Sequence, residues 1–445
     1  MRPTAFASLA RGLLRGDGLR FGFAQTIATQ LVVNLVYMVT GVVTARLLGP
    51  DGRGVLAAIT LWPQLLAAVA LAGLPFAVTY HLRNAAEPDR GSVLGAGLLL
   101  AAASALLCLG LGIPAIAWTM SGAYPAETVR FAQLFALMML PSLLSMLGKQ
   151  SFGALGHIQA FNFASWAEPS LNLLLLVAVV LTMTLTPELA AACLLVEAVL
   201  MAAWIGWRLA GICRPRLRLR DRWLGEVGSY AIRASGTGVL ANLALYLDRL
   251  VLVALVAPVD FGLYVVAFNL SRLVMVIHTA LGAVVLPSMT GVGVETAKAI
   301  HDRAFRLVAL AVAMAVPAAA VLGSPVLTLL YGDDFAAAYL VLVILVGEAA
   351  LTCLCQVTAQ LFLAVGRPGF ASSAQAVSFV TAAIGMVVLV PMAGVVGAAV
   401  AVVLGAVVRL LVLLAGVTFR LGLPAPRLAP IVGELGAYMR SLRQA

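Results

Sequence analysis

The chain has 445 residues; 63% are hydrophobic, only 10% are charged, and the net charge is +10. A soluble domain is about 45–50% apolar and about 25% charged, so this composition excludes a soluble enzyme or binding module. What it predicts is an all-α, polytopic membrane protein, because about 20 apolar residues suffice to cross a hydrocarbon core as a helix.

In chain order, a basic segment (1–20) carries Arg2, Arg11, Arg15 and Arg20. The apolar run that follows is too long for a signal-peptide core and shows no convincing cleavage site, so it reads as a retained first span. Twelve spans are predicted near 21–45, 55–80, 92–118, 131–155, 160–185, 188–210, 229–255, 261–289, 305–330, 336–363, 370–391 and 396–419. Spans 1 to 6 (21–210) form an N-lobe and spans 7 to 12 (229–419) a C-lobe. Between them lies a basic linker (211–228), and residues 420–445 form a tail. With the N-terminus cytoplasmic, 21 of the 28 Lys and Arg fall on the cytoplasmic side, three on the opposite side and four inside spans. That asymmetry is the positive-inside bias and places both termini in the cytoplasm. It also accounts for the net charge without nucleic acid. The linker stretch "RPRLRLRDR" (Arg214 to Arg222) is its densest part and reads as an anchor near anionic lipid. The five cysteines have no zinc spacing and imply no disulfide; they read as small apolar packing groups.

The turn "ARLLGPDGRGVLAAI" (Ala45 to Ile59) has a counterpart in "ALVAPVDFGLYVVAF" (Ala254 to Phe268). Pro50 and Gly54 match Pro258 and Gly262 at an offset of 208, and Asn34 matches Asn242 at the same offset. "QSFGALG" (Gln150 to Gly156) returns as "QLFLAVG" (Gln360 to Gly366) at 210, Gly122 matches Gly332 at 210, and Pro75 matches Pro287 at 212. Five matches in one order at nearly constant offset indicate a duplication of six spans. Six is even, so both halves insert in the same orientation, as parallel repeats do.

At these residues the sequence resembles the multidrug/oligosaccharidyl-lipid/polysaccharide exporter superfamily, in its polysaccharide-transporter or lipid-linked oligosaccharide flippase branch. The resemblance lies in "ARLLGPDGRG", in "LDRLVLVALVAPVDFGLYVVAF" (Leu247 to Phe268), in "LLYGDDFAAAYLVLVIL" (Leu329 to Leu345), and in Gly156 and Gly366. It implies a two-lobed, V-shaped transporter of the bacterial inner membrane with a central cavity that opens alternately to each face. The implied cargo is an undecaprenyl-diphosphate-linked glycan unit for O-antigen, capsule or exopolysaccharide assembly. Membrane lipid, a polysaccharide polymerase and chain-length machinery are the implied partners. A monomer with no cofactor is expected; a coupling ion would be H+ or Na+.

An ionisable group inside a span is costly in lipid and usually faces a cavity or a partner. Arg272, Arg249, Arg409 and Arg233 are therefore candidate contacts for an anionic diphosphate, since guanidinium presents a bidentate fork to phosphate. Polar stripes at Gln30–Asn34–Tyr37 and Asn242–Tyr246–Arg249 fall at helical spacing, and Gln64 holds in the first half the place of Arg272 in the second. Glu168, Glu197, Glu348 and Asp248 are candidate ion-coupling carboxylates, with structural pairing to an arginine as the competing role. Lys149 reads as a snorkelling side chain or a head-group contact, and His278 as a packed histidine.

Two other functions compete. A drug-cation exporter of the same superfamily is expected to carry an acid in its first lobe, and spans 1 to 4 have none. A membrane glycosyltransferase or polymerase needs a chemically equipped outer loop, whereas the largest here holds only Glu127 and Arg130. No phosphate-binding loop for ATP is present.

Overall fold

The computed structural model describes residues 19–275, 285–286 and 288–426, and the statements below refer to these. Every regular element among them is helical. Helices α1 (Leu19–Ala70) and α2 (Leu74–Asn84) hold spans 1 and 2, and α3 (Arg90–Met120) holds span 3. Span 4 is α4 (Ala126–Phe135) and α5 (Met139–Ala154), joined by one 3-10 turn; α6 (Ile158–Thr182) and α7 (Pro187–Ile212) are spans 5 and 6. In the second half, α8 (Arg222–Leu255) holds span 7 and α9 (Pro258–Ser271) begins span 8. Spans 9 and 10 lie in α10 (Val294–Tyr331) and α11 (Tyr339–Ala364), and α12 (Pro368–Leu421) holds spans 11 and 12. His278 and Pro287 fall outside the described residues, as does the side chain of Asn242.

Two of these helices are far too long for one crossing. At 1.5 Å per residue, 52 or 54 residues extend roughly 80 Å against a hydrocarbon core of about 30 Å. Each contains a backbone break. In α1 it is Gly49, at φ 65° and ψ −178°; in α12 it is Ala393–Gly394, with Gly394 at φ 55°. The two halves of α12 then pack face to face through small residues. Gly397, Ala401 and Gly405 recur every four positions and meet Leu389, Gly385 and Ser378 of the other half. The Ser378 hydroxyl donates to the Gly405 carbonyl at 2.9 Å. Small residues at this spacing let membrane helices approach closely where lipid provides no hydrophobic drive. Span 2, expected as one helix, is interrupted at residues 71–73 because Pro75, lacking an N–H, opens a new helix.

The duplication is visible in individual hydrogen bonds. α5 and α11 each end in a left-handed glycine, Gly156 at φ 82° and Gly366 at φ 73°. Beyond it, the His157 N–H donates to the Phe152 carbonyl at 2.8 Å, and the Arg367 N–H donates to Phe362 at 2.8 Å. Phe152 and Phe362, themselves 210 apart, are both fully buried. These are matching helix caps of the Schellman type. Because no atom lies within 4 Å of a Cβ placed at Gly156 or Gly366, alanine there meets only backbone strain. Each substitution is expected to cost about 1–2 kcal/mol, seen as lower thermal stability with membrane insertion retained.

Residues up to Leu48 and Ala58–Leu243 pack as one compact unit; Gly49–Ala57 and the residues from Ala244 onward pack as a second. The tip of the first hairpin therefore belongs to the second unit, where it lies against the start of α9. A Cβ on Gly54 would stand 1.8 Å from the Pro258 carbonyl oxygen, and one on Gly262 would stand 2.0 Å from that of Pro50. Pro50 and Pro258 are repeat partners, as are Gly54 and Gly262. The duplicated turns thus interlock backbone to backbone, each glycine receiving the other turn's proline carbonyl.

Candidate transport sites in the two units

In the first unit, four helices converge on a cavity of about 140 Å³. α5 supplies Ser142, Ser145, Met146 and Lys149, whose spacing puts them on one face. α6 supplies Glu168, Pro169 and Asn172, α7 supplies Glu197, and α1 supplies Tyr37. Pro169 has no N–H to give the carbonyl four residues earlier, which loosens the helix beside Glu168. The Lys149 ammonium pairs with Glu168 Oε2. Glu168 Oε1, Asn172 Oδ1 and Ser145 Oγ are buried with no hydrogen-bond partner among the described residues. Each such orphan costs about 1–3 kcal/mol, and here all three line one cavity holding two carboxylates and one ammonium. Water, a proton or a small cation satisfies that arrangement; an anion does not.

Breaking the pair should be severe. Lys149→Met leaves buried carboxylates uncompensated and is expected to cost about 3–5 kcal/mol of stability. Lys149→Met with Glu168→Gln should recover most of the loss in a thermal unfolding measurement. Equal losses in the single and double variants would show that charge compensation is not what holds the site.

The second unit contains a different arrangement. α9 presents Tyr264 and Phe268 on one face, continued into a 3-10 turn by Arg272. The Arg272 guanidinium lies 4.2 Å from the Phe268 ring centre and the Arg249 guanidinium 4.7 Å from the same centre. Arg249 also stacks on Tyr246 at 4.9 Å. Each cation is held by an acid: Arg272 pairs with Glu348 at 2.9 Å, and Arg249 lies 3.8 Å from Asp248. Asp248 accepts from the Tyr264 hydroxyl at 2.7 Å, and Glu348 accepts from the Thr352 hydroxyl at 2.7 Å. Two arginines and two acids sum to zero, which is how such a cluster is tolerated at membrane depth. Arg249 also donates to the Leu245 carbonyl at 2.7 Å; the remaining N–H groups of the two stacked guanidiniums can bind a diphosphate in place of the carboxylates.

The predicted residues thus separate. Arg249, Arg272, Asp248, Glu348 and Tyr246 come together in the second unit, and Glu168 and Glu197 come together in the first. Arg409 is buried at 9% exposure in the second unit, with its Nε unpartnered. Gln30 donates to Asn34 at 3.2 Å, so these two engage each other. Gln64 and Arg233 are exposed and contribute to neither cluster. Sequence reasoning missed Asn172, Ser142 and Ser145; the spacing of Glu168 and Asn172, four apart on α6, was the available signal. A further buried cluster, Lys298, His301, Asp302 and Thr358, satisfies itself: the His301 ring nitrogens face Asp302 at 3.0 Å and Thr358 at 3.4 Å.

Duplicated apolar helices long enough to cross a membrane, with a charged cluster inside each unit, define a multi-pass, all-helical membrane protein. The chain belongs to the family described as "Polysaccharide biosynthesis protein", which matches residues 20–292. Its fold is shared with the lipid II flippase MurJ in an inward closed conformation, at a TM-score of 0.75 and 12% identity over 88% of this chain and 87% of that one. It is also shared with an inward-facing multidrug resistance MATE transporter of the MOP superfamily, at 0.69 and 17% identity over 86% and 93%. A Vibrio cholerae MATE transporter aligns at 0.57 and 15% identity over 90% and 97%. No curated protein matches the sequence.

Proposed function

We propose that this protein moves polyprenyl-diphosphate-linked oligosaccharide units from the cytoplasmic to the periplasmic leaflet of a bacterial inner membrane, for O-antigen, capsule or exopolysaccharide assembly. The observation that carries this reading is the pair Arg249 and Arg272 across Phe268, each tethered to its own carboxylate. A diphosphate is the head-group element that matches two guanidiniums, and burying it unpaired is prohibitive. When it takes the arginines it releases Asp248 and Glu348, so loading exchanges one set of ion pairs for another. The acid-rich cavity of the first unit serves as the coupling site for H+ or Na+. The polyprenyl tail stays in membrane lipid, both termini are cytoplasmic, and the protein works as a monomer that hands its product to a polymerase and chain-length machinery.

A second reading, a cation-coupled drug exporter, draws support from that acidic cavity, whose carboxylates come from α6 and α7. Its size favours the flippase reading. Drug-sized ligands occupy pockets of about 300–1,000 Å³, whereas this one is about 140 Å³.

Deleting the gene should leave the lipid-linked unit on the cytoplasmic leaflet and abolish surface polymer, with drug tolerance unchanged. A cysteine placed between Arg214 and Arg222 should resist membrane-impermeant label added to intact cells. Normal polymer with heightened drug sensitivity would instead favour the exporter.

A further inference from the structure

The linker between α7 and α8 is fixed to the first unit. The Arg216 N–H donates to the Gly91 carbonyl at 2.8 Å, and its side chain donates to the Pro88 carbonyl at 3.3 Å. Arg222 pairs with Asp89 at 2.9 Å and lies over the ring of Trp223. Trp223 is buried edge-on against His81, which also meets Tyr230. The approach is so close that a Cβ at Gly91 or Gly95 would stand 2.4 Å from the Arg214 carbonyl oxygen or 2.0 Å from that of Arg216.

What the pinned segment leaves outward is specific. Residues 214–218 carry no regular secondary structure and lead into a turn at 219–220. Arg214, Arg218 and Arg220 are exposed, with no ion pair among the described residues. The nearby acids are already engaged: Asp89 with Arg222, and Asp221 in accepting the Trp223 N–H at 3.3 Å. Leu217 and Leu219, set among these cations, are 64% and 81% exposed. α7, which is apolar and long enough to cross a membrane, ends at Ile212 and α8 starts at Arg222, so the segment directly follows the end of a membrane helix.

We propose that residues 214–220 form a membrane-inserting ridge, docked on the first unit, that binds anionic phospholipid. The two leucines enter the acyl boundary, and the three arginines hold lipid phosphates on either side. Each basic side chain near an anionic surface adds attraction, and the flanking apolar pair adds a depth that charge alone lacks. The backbone is docked at Arg216 and Arg222, and exposed leucines set between unpaired cations match the boundary of an anionic bilayer better than a water-soluble peptide. The ridge would thereby fasten the first unit to one leaflet.

The test uses full-length protein carrying a nitroxide at Leu219→Cys, reconstituted into vesicles of phosphatidylcholine alone or of phosphatidylcholine with phosphatidylglycerol. The readout is collision with oxygen relative to collision with a water-soluble nickel chelate. The proposal expects this ratio to be several-fold higher in the phosphatidylglycerol vesicles and to fall as salt screens the surface. It should drop to the aqueous value when Arg214, Arg218 and Arg220 are all replaced by Gln; these exposed residues can change without unfolding the unit. The same ratio in both vesicle types, a ratio unmoved by the triple replacement, or a rise only on adding a polyprenyl diphosphate would overturn it.

Discussion

Replacing Gly54 or Gly262 with alanine is expected to abolish export while the chain still inserts in the membrane. The added methyl would stand 1.8 Å from the Pro258 carbonyl oxygen in one case and 2.0 Å from that of Pro50 in the other. No side chain can rotate away to make room, because both obstacles are backbone. Overpacking a close contact costs about 1–3 kcal/mol where side chains can yield, and more is expected where they cannot. A transporter that alternates between states must form and release such a contact at low cost. Driving the interlock apart would therefore remove one state from the cycle. Polymer output and thermal stability should both fall for either glycine, and fall alike, because the two positions are repeat partners. Wild-type output from Gly262→Ala would show that the interlock has no part in transport.

Arg272→Ala is the second change with a large expected effect. It removes one of the two guanidiniums proposed to receive the head group and leaves Glu348 without its partner. Hydrogen bonds to charged groups contribute about 1.5–3 kcal/mol, so the loss in transport should be roughly ten- to a hundredfold. Arg272→Lys keeps the charge but loses the planar fork and the stacking on Phe268, and should fall between the two. Stability and function separate in the double variant. Arg272→Ala with Glu348→Gln relieves the unpaired carboxylate and should restore expression and unfolding temperature, but not transport. Recovery of transport in that variant would make Arg272 a structural partner of Glu348.

Most of the fold was legible because apolar length and charge asymmetry act locally and strongly. Twelve spans follow from them, and the offset of 208 to 212 between Pro50 and Pro258, Gly156 and Gly366, or Pro75 and Pro287 reveals the duplication. The chemistry was legible as a set of residues, not as an arrangement. A mid-span arginine announces that it needs a partner, but nothing in the chain says that Arg272 finds Glu348, 76 positions later, rather than Asp248. Neutral polar side chains were the hardest to see. Asn172 and Ser145 resemble ordinary helix residues until Lys149, Glu168 and Glu197 are brought around them. The linker's basic composition points to anionic lipid, and only contacts with Pro88, Asp89 and Gly91 reveal that it is also fastened to the first unit.

The central claim is that the Arg249–Arg272 pair receives a diphosphate head group. The most direct measurement is leaflet-resolved flipping in proteoliposomes of a fluorescent polyprenyl-diphosphate oligosaccharide, run beside its monophosphate analogue. The account predicts rapid movement of the diphosphate by the wild-type protein. It predicts movement of the monophosphate slower by about tenfold, the equivalent of about 1.4 kcal/mol, and movement of the diphosphate by Arg272→Ala slower by roughly ten- to a hundredfold. Equal rates for the two substrates, undiminished in Arg272→Ala, would contradict it.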